Sequence, residues 1–255
     1  MDWLIIDYLP AYVLSGSVAT VAAVLIGVQR GLKGAGWSDR DRKRAIGSIA
    51  ALLIVWFFAE LIPARLGLYH GTTSPIPTIQ YGMLIPLVVA VVLFRRWRLL
   101  RLVIEAVPQT WMAGIQLFRV MGLVFLVLYA AGRLPGVFAL PASLGDFTVG
   151  LLAPIVAIAY ARRPQAMAGW LRTWNLFGIG DLIVAVTTGF LSSPSRLQML
   201  AFDKPNELIS AFPLVMIPEF LVPLAVLLHL GSLKKLRLPE TARSAQRLDS
   251  RAHSL

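Results

Sequence analysis

Residues 111–131 read WMAGIQLFRVMGLVFLVLYAA, an apolar run that nonetheless carries Gln116 and Arg119. About 20 such residues at a rise of 1.5 Å cover the roughly 30 Å hydrocarbon core of a bilayer, so the run predicts a membrane-crossing helix. On that rise Arg119 lies about 12 Å deep. A guanidinium facing lipid at such depth costs at least about 2.5 kcal/mol. Arg119 is therefore expected to face protein and to find an acidic partner there.

The rest of the chain has the same character. It is 57% hydrophobic and 15% charged, with mean hydropathy +0.72. A soluble helical protein would show amphipathic stripes, whereas most long runs here are apolar all round. The fold class expected is all-α, a polytopic bundle of seven transmembrane helices. The spans fall at about 9–28, 46–62, 79–94, 111–131, 146–161, 173–191 and 209–231, within a membrane domain covering 1–233. Residues 234–255 read as a basic, disordered tail. The opening MDWLIIDYLP lacks a basic leader and does not read as a cleaved signal peptide. Cysteine is absent, which removes disulfides, thiolate nucleophiles and cysteine metal sites.

Charge placement sets the orientation. The segments after spans one, three, five and seven hold nineteen Lys and Arg, the opposite segments only Arg65, Arg133, Arg196 and Lys204. The positive-inside rule then puts the N-terminus outside and the C-terminus in the cytoplasm. This placement makes the net charge of +11 a membrane feature, and no nucleic-acid partner is expected. In RRWRLLRLVIEAVPQ, Arg95, Arg96, Arg98 and Arg101 interleave with Trp97 and leucines, a pattern suited to anionic lipid headgroups. A plasma membrane, most simply a bacterial inner membrane, is the expected location.

The ionisable residues inside the spans form the candidate site. Asp181 in span six has the same estimated depth as Arg119, and Glu219 stands near the middle of span seven; one of these acids is expected to pair with Arg119. Gln116 shares the face of Arg119 at i−3. Gly178 and Thr188 are expected on the face of Asp181, with Asn175 and Glu60 as further polar positions. GRLPGVFALPASLGD, with Pro135 and Pro141, reads as an outer loop with a re-entrant or surface-packed turn, and Asp146 at its end as the N-cap of span five. His229 is read as a hydrogen-bonded interhelical histidine rather than a haem ligand. Pro213, Pro218 and Pro223 break span seven, and Pro218 and Pro223 are expected to free the carbonyls of Leu214 and Glu219. No motif points to a metal, a cofactor or a soluble-type enzyme site. A retinal Schiff base is excluded, because all five lysines lie outside the spans.

The segments IQLFR, ALPASLGD, TWNLFGIGDLIVAV and VPLAVLLHLGSL together resemble uncharacterised bacterial integral membrane proteins. That resemblance implies a membrane bundle and brings no activity. The seven-span, N-out layout is also similar to that of SWEET-type sugar transporters. Their paired Pro-Gln motifs sit in helices, whereas Pro108-Gln109 and Pro164-Gln165 here fall at inner loop edges. Three functional readings stay open: a transporter of a small molecule or ion, proton-coupled through an intramembrane acid; a non-transporting subunit or sensor that binds a membrane partner and uses the charges as an interhelical clamp; and a membrane enzyme or cofactor binder, favoured only if the purified protein is coloured or His229 faces a cavity.

Overall fold

A computed structural model describes residues 2–69 and 78–237, the side chains of 2–6 excepted. The expected disordered tail and the loop after span two therefore lie largely outside the described residues. Every described element is helical. Among the described residues seven helices are long and apolar enough to cross a membrane.

Helix α1 (Asp2–Gly34) is longer than its apolar run, as is α2 (Asp39–Arg65), which Ser38 caps by accepting from the amide of Asp41 at 3.2 Å. After α3 (Ile79–Arg96) the backbone turns extended at Trp97, so the arginine-rich segment forms a separate helix, α4 (Arg98–Ala106). Arg101 Nη1 reaches back to the carbonyls of Phe94 and Arg95 at 3.2 and 2.7 Å, satisfying the end of α3. The Arg119 run is one rod of three pieces: α5 (Gln109–Ile115), a 3-10 stretch over Gln116–Gly122, and α6 (Leu123–Ala130).

Two spans differ from expectation. Helix α7 (Gly136–Arg162) begins ten residues before Asp146, so the expected N-cap aspartate is an interior residue. Pro135 and Pro141 suggested a loop, but Pro135 sits at the N-cap and Pro141 costs the helix only one amide. After α8 (Pro164–Ser192) the last span starts later than expected, as a π-helical stretch over Ile217–Leu221 that runs into α9 (Val222–Arg237). Pro218 does not free the carbonyl of Leu214, which accepts from the amide of Ile217 at 2.9 Å.

Helix α7 packs along the whole Arg119 rod and against α8, and α9 closes the group by packing on α8, α5 and α3. Helix α1 docks on α5 through Trp111, whose indole N–H donates to the carbonyl of Ala23 at 2.8 Å and whose ring lies under Arg30. Apolar side chains point outward: Ile155 is 59% and Ile183 61% exposed, while Arg119 is 2% exposed. Such an inversion suits a protein surrounded by hydrocarbon. The helix ends also sort by charge. One end of the bundle, the basic end, carries Arg95, Arg162 and Lys234, and its opposite is the far end.

Candidate functional site

The 3-10 winding creates the site. With three residues per turn, positions i and i+3 eclipse, so Gln116, Arg119 and Gly122 stack on one buried face. A normal helix would fan them over a wider arc. Tyr12 of α1 ties this segment to the first helix by donating to the carbonyl of Met121 at 3.0 Å.

Arg119 binds two aspartates at once. Its Nε donates to Asp146 Oδ1 at 2.7 Å and its Nη2 to Asp181 Oδ2. Nη1 donates to the carbonyl of Gly178 at 3.1 Å and faces His229 Nε2 at 3.4 Å. Four of the five guanidinium hydrogens are accounted for. One positive charge faces two carboxylates, so the cluster is formally one negative charge in excess when both are ionised.

Three glycines let the helices approach closely enough. A Cβ on Gly122 would overlap the Asp146 carboxyl, one on Gly145 the Asp181 carboxylate, and one on Gly178 the ring of His229. None of the three could carry a side chain without displacing the groups bound to Arg119.

A chain of polar contacts continues toward the basic end. His229 Nδ1 lies 2.9 Å from Asn175 Oδ1. The Asn175 amide donates to Ser232 Oγ at 2.9 Å and to its own helix at Leu171. Gln109, at the start of α5, donates to the same Ser232 hydroxyl at 2.7 Å. Gln116 donates to the carbonyl of Ala225 at 3.0 Å.

Two small cavities flank the cluster, and Asp146 lines both. One of about 20 Å³ touches Arg119, Gly122 and Leu182. The other, about 50 Å³, lies toward the far end among Ile79, Met83, Phe125, Phe138 and Ser193. A water needs roughly 10–15 Å³ of such space and polar partners besides, so by size the first has room for one and the second for several, while the lining of the second is almost wholly apolar. Asp146 keeps 12% of its side chain exposed, against 1% for Arg119.

The sequence-predicted residues thus divide. Arg119, Asp181, Asn175 and His229 come together, and Asp146 joins them in place of its expected capping role. Gln116 lies on the same face. Thr188 does not join, since its hydroxyl bonds back to Val184 and Ala185 of its own helix. Glu219 does not reach Arg119. It lies with Glu60 on the other side of the π-helical stretch, beside Tyr69 and Gly82. Sequence reasoning missed Ser232, Gln109 and Tyr69. The Gly-Asp pairs at Gly145 and Gly180 were a usable signal for a shared role of the two aspartates.

Residues 76–237 match the model of a family described as a domain of unknown function, DUF8737. The chain belongs to this family. The DUF8737 region contains the whole Arg119 cluster and its polar chain, while Glu60 and Tyr69 precede it. No curated protein and no solved structure matches the chain.

Proposed function

We propose that the chain is a multi-pass protein of the bacterial inner membrane, N-terminus outside, that transports a small molecule or ion in exchange for or together with protons. The reading rests on one observation: Asp146 both holds Arg119 and lines the cavity toward the far end. A proton or ligand entering that cavity meets a carboxylate whose other role is to fix the central guanidinium. Occupying Asp146 weakens its hold on Arg119, and the excess negative charge of the cluster accommodates exactly one such positive charge.

Toward the basic end the route is closed. Arginine does not release its protons, and the amides of Asn175 and Gln109 do not relay them. The chain from His229 to Gln109 therefore acts as a latch across α5, α8 and α9, and access from the cytoplasm requires it to part. Anionic headgroups at the cytoplasmic face are the expected partners of the α4 arginines. No enzymatic activity or cofactor is invoked.

Reconstitution into proteoliposomes tests the reading. A panel of small solutes is offered while an internal dye reports pH; solute-dependent proton movement that disappears in Asp146→Asn at unchanged abundance is the expected result. Proton movement unaffected by that variant would remove the site from the mechanism.

The clamp reading draws on a different observation, the near-complete occupation of the Arg119 donors against close-packed glycines. Under it the chain is a subunit or sensor with a membrane partner, and neutralising all three charges together leaves every function intact.

A further inference from the structure

Glu219 is fully buried, and among the described residues neither carboxylate oxygen has a hydrogen-bond partner. It sits on the π-helical stretch Ile217–Leu221, where one extra residue per turn displaces it from the face a regular helix would give it. Such stretches often accompany functional sites. A buried carboxylate with nothing to bind is costly, and each oxygen left unpaired adds to that cost.

Among the described residues its surroundings are oxygen-rich and hold no compensating charge. Glu60 of α2, 5% exposed, is its electrostatic neighbour. Tyr69 donates its hydroxyl to Glu60 Oε2 at 2.6 Å. Glu219 and Tyr69 converge on the bare Cα of Gly82, where a Cβ would fall 2.6 Å from the Glu219 carboxyl carbon and 2.8 Å from the Tyr69 oxygen. Burial, the bond to Glu60 and the nearby acids hold the Tyr69 phenol well above its ordinary range, so it remains a donor. Arg65, one turn beyond Glu60, lies over the ring of Phe212 at 4.5 Å, and among the described residues no ion pair reaches either glutamate. Phe220 closes the site against Trp56 and Phe57, with ring centroids 4.8 and 5.3 Å away.

We propose that Glu219, Glu60 and Tyr69 form a binding site for one small monovalent cation, a proton or an alkali metal ion, separate from the Arg119 cluster. A divalent transition metal fits poorly, because no three His, Asp or Glu among the described residues are grouped to hold one. A single positive charge delivered to Glu219 supplies what its oxygens lack, with Glu60 and the Tyr69 oxygen completing an all-oxygen donor set. The inference rests on this geometry alone and stands whether or not the chain transports.

Thermal unfolding of the purified full-length protein in lipid nanodiscs, followed by tryptophan fluorescence, tests it. In one arm NaCl or KCl replaces choline chloride at pH 8; in the other pH falls from 8 to 5 in choline chloride. A ligand that binds only the folded state raises the midpoint by mass action. The expected result is a rise in one arm for the wild type, with that component missing in Glu219→Gln. A rise with salt assigns the alkali ion, and a rise with acid alone the proton. Asp146 and Asp181 also titrate, so the acid arm is read as the difference between wild type and variant. Glu60 and Tyr69 are the titratable groups facing Glu219, and Glu60→Gln, a second variant in case Glu219→Gln does not fold, should reduce the same response. Responses in both arms identical to wild type in each variant that folds would overturn the proposal.

Discussion

Arg119 Nη1 faces His229 Nε2 at 3.4 Å, and a guanidinium has only hydrogens to offer, so the imidazole nitrogen it meets is a bare acceptor. The other nitrogen then carries the proton and donates to Asn175 Oδ1. His229 is in this way assigned as the neutral Nδ1–H tautomer, which is the less common choice for a free imidazole. Nitrogen NMR of protein labelled at histidine, with His70 and His253 replaced, should show a protonated Nδ1 and an unprotonated Nε2 at neutral pH. The reverse pattern would mean that the contact with Arg119 is absent.

Removing Arg119 strands two acids. Arg119→Ala should destabilise the fold by about 3–5 kcal/mol, the usual cost of breaking a buried pair. Adding Asp181→Asn should recover part of this loss, and adding Asp146→Asn as well should recover more, because each step removes an unpaired charge. Membrane abundance and denaturation in mild detergent measure the series. Equal loss in the single and triple variants would show that the charges are not coupled.

Two neighbouring glycines give a steric contrast. Gly145→Ala drives a methyl into the Asp181 carboxylate, and an overpacked contact of this kind costs about 1–3 kcal/mol. Gly180→Ala meets nothing within 4 Å and should be neutral or stabilising by up to about 1 kcal/mol, as for glycine in a helix interior. Unfolding midpoints of the two variants compare them directly.

Orientation is testable without any ligand. A reporter fused after residue 255 should be active as a cytoplasmic fluorescent protein and inactive as alkaline phosphatase, following the skew of Lys and Arg. Phosphatase activity at that position would invert the proposed topology.

Hydropathy was enough to read the seven long helices, because each carries a long apolar run that is legible whatever its neighbours. Depth was legible as well: Arg119 and Asp181 were matched by counting residues from the helix ends, and they do meet. Azimuth was not legible. Glu219 has a suitable depth but points toward Glu60 and Gly82, and nothing in its own span reveals that a π-helical stretch turns it away from Arg119. Asp146 was misread because two prolines mimic a loop, although proline in a long apolar helix removes a single bond that neighbouring groups can replace. The 3-10 winding of Gln116–Gly122 leaves no mark in composition, since it is the packing of that segment against α7 that sustains it.

That winding makes the central rod a screw of adjustable pitch. A 3-10 segment rises about 2.0 Å and turns about 120° per residue, against about 1.5 Å and 100° for an α-helix. Rewinding Gln116–Gly122 into α-helix would therefore shorten the rod by roughly 3.5 Å and rotate α6 against α5 by roughly 140°. The guanidinium of Arg119 sits midway along this segment and would swing through about half that angle. Its bonds to Asp146 and Asp181 would then have to part, so the length of the rod and the contacts of its arginine are tied together.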